Sequence, residues 1–209
     1  MAVITISRQS GSDGDAVTRL LCEQLGYRYF DKKLMAELAK EMGVDPREVV
    51  DASADQHQAK GILERIFGNF QTPFGDPGSW TLAARHDAHA ALSVERVRGM
   101  IEAAYEQGNV VIVGRGGQVA LAGKPDVLHV RIVAPFETRV KRWQARAVLT
   151  EEEAQRRTRE RDQAHIDFVQ RFYGADVADP SLYDLVISTG KITPEGAVEL
   201  IVKALDLLQ

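Results

Sequence analysis

The chain has 209 residues, a formal net charge of -4, 44% hydrophobic residues and 27% charged residues. That length can bury a full core in one domain spanning 1–209, and the composition is that of an ordinary globular protein. The acidic balance argues against a general nucleic-acid or anionic-membrane binder, and no apolar run is long enough to span a bilayer. The N-terminus has neither the basic start nor the long apolar stretch of a secretory signal, so a cytoplasmic protein is expected. One cysteine, Cys22, lies among Leu20, Leu21 and Leu25. It excludes an internal disulfide and reads as a packing residue.

The β-branched run Val3 to Ile6 predicts a buried strand, followed by small polar residues and glycines and then a helical pattern from Ala16 to Leu25. A weak strand is expected at Tyr27 to Phe30, with helical patterns at Lys33 to Met42 and Ala88 to Tyr105. Between those helices, Ala52 to Arg85 contains "FGNFQTPFGDPGSW" and reads as an inserted loop or lid. An exposed aromatic stretch of this kind serves equally well as an interface, so a homodimer is one expectation. Further strands are expected at Val110 to Val113, Val127 to Val133 and Leu185 to Ile187, with a helix at Glu137 to Ala147. Strands separated by helices imply a parallel sheet covered on both faces, with ligands bound in the loops that follow the strands.

The first such loop raises a specific question. Setting G-x-x-x-x-G-K-[ST] on residues 8–15 puts Arg8 and Asp13 at the glycines, Gly14 at the lysine and Asp15 at the hydroxyl, so the motif fails. The architecture survives it. Backbone N–H groups across Ser10, Gly11, Ser12, Asp13, Gly14 and Asp15 can cradle an anion at a helix start without lysine. The competing local reading is that Asp13 or Asp15 caps the helix, and both carboxylates repel phosphate unless a metal ion lies between.

A second segment, about 137–173, is helical and rich in arginine. Arg139, Arg142 and Arg146 share one helix face. Thr150 with Glu153 forms a capping box that starts a second helix, on which Arg157 and Arg161 also share a face. Two helices joined by a tight turn make either a lid that presents guanidinium groups to phosphates or a solvated hairpin paired with Glu151, Glu152, Glu153 and Glu160.

Taken in order, "VITISRQSGSDGDAVTRLLCEQLGYRYFDKKLM", "NVVIVGRGG", "VLHVRIVAPFETRVKRW" and "YDLVISTGKITPEGAVELIVKAL" resemble the cytidylate kinase-like family of P-loop proteins across nearly the whole chain. True cytidylate kinases open on a motif like "ITIDGPSGAGKGT"; a divergent branch carries a lysine-free loop of the kind "SRxxGSGG". This chain resembles that branch, with Asp13 where the loop usually offers glycine.

The resemblance implies a three-layer α/β P-loop, nucleoside monophosphate kinase-like fold with a parallel sheet and a helical lid. It implies ATP as donor, Mg2+ arriving with the nucleotide, and a nucleoside monophosphate such as CMP as acceptor. Arg139, Arg142, Arg161 and Asp162 match lid positions, whereas His165 stands where an arginine is expected. Arg115 keeps the arginine of the family's "DGRD", but Val113 and Gly116 replace its acids. Asp31 matches an acceptor-side aspartate, and Lys32 stands where the family has serine. Lys32 and Arg8 are the candidates for the missing cation. The remaining histidines have no spacing typical of a catalytic metal site, so no protein-held metal is expected, with Asp13 or Asp15 in reach of a nucleotide's magnesium. The alternatives are a catalytically silent nucleotide-binding or regulatory module and a kinase for a non-nucleotide acceptor.

Overall fold

A computed structural model describes residues 2–30 and 97–208. Asp31, Lys32, the helical pattern at Lys33 to Met42 and the aromatic insertion of Ala52 to Arg85 lie outside the described residues.

Among the described residues, four strands form where β-branched residues cluster and a fifth, shorter one on the aromatic pair Tyr29 and Phe30. They are β1 (Val3–Arg8), β2 (Arg28–Phe30), β3 (Val110–Val113), β4 (Val127–Val133) and β5 (Leu185–Ser188). All neighbours pair in parallel in the order β2-β3-β1-β4-β5, with Thr5 of β1 opposite Ile112 on one side and His129 on the other. The connecting helices are α1 (Gly14–Leu25), α2 (residues 97–107 of the described chain), the one-turn α3 (Gly117–Ala120), α4 (Phe136–Ala147), α5 (Glu151–Tyr173) and α6 (Pro194–Leu205).

Because side chains alternate across a strand, β1 feeds two cores. Ile4 and Ile6 join Val111, Val113, Leu128, Val130 and Ile132, covered by Val17 and Leu21 of α1 and by Ala197, Val198 and Ile201 of α6. Each fully buried isoleucine of that set contributes roughly 2–3 kcal/mol. Cys22 packs at the edge of this core, and burial beside Glu23 pushes its thiol up to about 11, which makes it an inert packing residue. On the other face, Val3, Val110, Ile112 and Val127 pack against Val97, Met100 and Ile101 of α2 and against Leu121.

Toward the C-terminal ends of the strands this second face changes character. Thr5, Ser7 and His129 are buried there, and Arg131 is half-buried. This face has a greasy lower half and a polar upper half, and α5 reaches the polar half through His165.

Candidate functional site

The β1–α1 loop owes its shape to two residues in the left-handed region, Gly11 (φ 79°) and Asp13 (φ 60°). A Cβ at position 11 would sit 2.9 Å from the Arg139 carbonyl oxygen, so only glycine lets the loop lie against α4. Ser12 is buried and donates its hydroxyl to the Gln9 carbonyl at 2.8 Å. Asp13 takes the N-cap position of α1, but its carboxylate makes no cap bond. Of the two aspartates that could cap α1, Asp13 therefore does not, and the first-turn N–H groups have no side chain bonded to them from that position.

What draws Asp13 away is the α4–α5 hairpin. Arg142 Nε meets Asp13 Oδ2 at 2.7 Å, and Arg146 Nη2 pairs with Asp13 Oδ1. Arg142 also donates to the Thr189 carbonyl at 2.7 Å and to its hydroxyl at 3.1 Å, which ties α4 to the end of β5. Arg139 is buried and engaged through Nε and Nη1: it donates to the Ala134 carbonyl at 3.0 Å, to the Ser10 carbonyl at 3.1 Å and to Asp162 at 2.5 Å. Trp143 donates its indole N–H to Ser10 Oγ at 2.9 Å, while the guanidinium carbons of Arg157 and Arg161 lie 4.4 and 4.9 Å from its ring centroid. Among the pairings expected for a solvated hairpin, Arg156 approaches Glu160 at 3.8 Å, and Glu153 serves the Thr150 capping box. The hairpin lies on the loop, with Arg139 and Arg142 turned inward and Arg161 stacked on Trp143.

Arg8 crosses the same ground from below. Its stem is so close to the first turn of α1 that a Cβ on Gly14 would sit 2.6 Å from Arg8 Cβ, and its Nη1 lies where a Cβ on Gly114 would be 2.8 Å away. Its Nε donates to Asp15 at 3.1 Å. One guanidinium thus spans the β1–α1 loop and the turn after β3. That turn runs through three successive left-handed residues, Gly114, Arg115 and Gly116. A Cβ on Gly116 would overlap the Tyr173 ring at 2.3 Å, and the Tyr173 hydroxyl donates to the Arg115 carbonyl at 2.7 Å. A left-handed arginine is strained, and α5 holds it in place. The Arg115 side chain is buried, its guanidinium carbon 6.0 Å from the Phe168 ring.

Beneath the hairpin, a cavity of about 90 Å³ is lined by Gln9, Arg131, Asp162, His165, Ile166 and Val177. Ser7 Oγ lies 3.4 Å from His165 Nε2 and accepts from Arg131 at 3.4 Å, while Arg131 donates to the Tyr183 hydroxyl at 3.0 Å. Burial, with Arg8 and Arg131 beside it, pushes His165 down to about 4 against the opposing pull of Asp162. At neutral pH the imidazole is uncharged. The helix therefore offers no cation where the resemblance leads one to expect arginine, and β4 brings Arg131 into the same cluster.

Trp143, Thr189, Arg131 and Tyr183 were not singled out from the sequence. Thr189 and Arg131 do carry the signal of a polar residue at the C-terminal end of a buried strand; Trp143 and Tyr183 carry none. No three His, Cys, Asp or Glu side chains gather as a metal-binding group among the described residues, and none of their helices is long and apolar enough to cross a membrane.

A five-stranded parallel sheet among the described residues, a strand–loop–helix at its centre and an arginine-bearing hairpin over that loop define an α/β P-loop kinase fold. Residues 3–191 match the cytidylate kinase-like family, and the chain belongs to it. It is 28% identical over 215 residues to a cytidylate kinase of Methanopyrus kandleri, covering 99% of this chain and 94% of that one. An uncharacterized protein from Eubacterium ventriosum superposes with a TM-score of 0.69 at 21% identity, covering 99% of each chain. The shikimate kinase of Bacteroides thetaiotaomicron superposes with a TM-score of 0.53 at 14% identity, covering 98% of each. At those identities the two solved structures speak to the fold alone.

Proposed function

We propose that this chain is a kinase that moves the γ-phosphoryl group of ATP to a small acceptor, with a nucleoside monophosphate such as CMP first among the candidates. The observation that carries this reading is the ring of guanidinium groups around the start of α1: Arg8 on one side, and Arg139 and Arg142 on the other. Phosphoryl transfer asks a protein chiefly for positioning and positive charge, and a helix start with converging arginines supplies both.

In this reading the N–H groups from Ser10 to Asp15 hold the donor phosphates, and Arg8 takes the place of the absent lysine. The hairpin acts as the lid over about 137–173. The acceptor lies over the turn after β3, facing Arg115 and, from outside the described residues, Asp31, Lys32 and the insertion of about 52–85. Asp15, with a side chain 73% exposed, is the loop carboxylate placed to meet a nucleotide-borne Mg2+, directly or through water. That ion would add to the charge neutralisation the arginines provide. An acceptor oxygen forms the new bond to phosphorus as the bond to the β-phosphate oxygen breaks, and ADP leaves.

A binding-only module draws on one observation, the engagement of Arg142 and Arg146 by Asp13. A transfer assay separates the readings. Purified protein with Mg·ATP is offered CMP, UMP, dCMP, AMP, nucleosides and shikimate, and ADP release is followed. Turnover with one acceptor is the expected result; tight ATP binding with no turnover on any acceptor favours the silent module.

A further inference from the structure

Asp13 is placed where a side chain costs energy. Its backbone is left-handed at φ 60°, a conformation glycine adopts without penalty, yet the position carries a carboxylate. That carboxylate does not cap α1. It is 13% exposed and points into the hairpin, where one oxygen meets Arg142 and the other Arg146. A guanidinium engages a carboxylate and a phosphate through the same forked N–H geometry. Both guanidiniums also stand beside the helix start at which an anion would meet the first-turn N–H groups. A donor phosphate and the Asp13 carboxylate would thus compete for one pair of arginines.

Resting on the kinase reading above, we propose that Asp13 is a specificity-determining residue that acts as an internal competitor of the donor phosphates. With its carboxylate on them, Asp13 neutralises Arg142 and Arg146 and adds a link between α4 and the loop. To displace it, a ligand must engage both guanidiniums and the first-turn N–H groups at once, which favours polyphosphate chains, with several linked phosphates, over orthophosphate and monophosphates. Arg142 is anchored independently by Thr189, so the exchange moves Asp13 and not the arginine. Arg146, with a side chain 48% exposed at the far end of α4, can follow the incoming charge.

Simple repulsion between Asp13 and phosphate would also weaken anion binding, and a double-mutant cycle separates the two. Binding of a non-hydrolysable ATP analogue, tripolyphosphate and orthophosphate is measured by calorimetry at constant ionic strength. The proteins are the wild type, Asp13→Asn, Arg146→Gln and the double variant. Asp13→Gly is the second variant, since asparagine and glycine both accept the left-handed turn and far-ultraviolet circular dichroism confirms folding. Competition is expected to show as about tenfold tighter binding of the analogue and of tripolyphosphate in Asp13→Asn, with a reduced preference over orthophosphate. Part of that gain should vanish in the Arg146→Gln background, where Arg142 alone still meets the carboxylate. An equal gain in both backgrounds overturns competition in favour of repulsion at a distance, and weaker binding in Asp13→Asn overturns it outright. Binding by the wild type with no gain in the variant removes this proposal alone. No binding of the analogue by any of the proteins removes the kinase reading with it.

Discussion

The Asp162 carboxylate fastens α5 to Ser10: its Oδ1 accepts the Ser10 backbone N–H at 2.9 Å, while its Oδ2 holds Arg139 at 2.5 Å. Arg139 closes the triangle by donating to the Ser10 carbonyl at 3.1 Å. Both backbone groups of one loop residue are therefore held by an ion pair from the hairpin. Removing Asp162 leaves a buried guanidinium without its counter-charge, so Asp162→Ala is expected to lower stability by about 2–3 kcal/mol. Asp162→Asn keeps an acceptor for Ser10 and should cost less. Urea denaturation checks this through a lower midpoint at unchanged slope; equal midpoints for wild type and Asp162→Ala would contradict it.

The tip of the hairpin carries strain of its own. Val148 ends α4 in the left-handed region at φ 51° with 95% of its surface exposed, so a β-branched residue accepts the strain with almost no burial in return. Val148→Gly is expected to stabilise the protein by about 0.5–1 kcal/mol, relief of strain outweighing the greater unfolded-state entropy of glycine. Thermal melting monitors it, and a lower midpoint in the variant would show that the turn is not strained.

His165 makes the fold sensitive to acid. Its imidazole, with a folded value of about 4 against an ordinary 6.5, is neutral in the native cluster of Ser7, Arg8, Arg131 and Asp162 and protonates more readily when unfolded. The unfolded state then binds more protons between those two values, so stability is retained above about pH 6.5 and falls as pH drops toward about 4. The loss by pH 4 is on the order of 3 kcal/mol. In His165→Gln that part of the pH dependence should disappear from denaturation curves taken between pH 7 and 4; an unchanged slope would place its source elsewhere.

Much of this was legible locally. Four β-branched or apolar runs and one weaker run mark the five described strands, and the Thr150 and Glu153 pair marks the start of α5, because a strand core and a cap are written in adjacent residues. The terminal helix α6 lay within a quoted family motif and was not separately delimited, and α3, four residues long, is too short to show periodicity. Sequence spacing correctly grouped Arg139 and Arg142 on one face, but not what they would meet. Arg139 is committed to Asp162 and two carbonyls, and Asp13 is paired with residues more than a hundred positions away. No local pattern encodes such a contact. The local sequence favours a cap from Asp13 or Asp15; for Asp13 the opposing guanidiniums, in reach only once α4 folds back on the loop, decide otherwise.

Donor binding tests the central claim most directly. Titration calorimetry with a non-hydrolysable ATP analogue and Mg2+, on the wild type and on Arg8→Ala, asks whether a loop without lysine holds a triphosphate through arginine. The expected result is micromolar binding by the wild type, weakened about tenfold or more in Arg8→Ala. Binding that Arg8→Ala leaves unchanged would contradict the role given to Arg8, and no binding by the wild type would contradict the phosphate site itself.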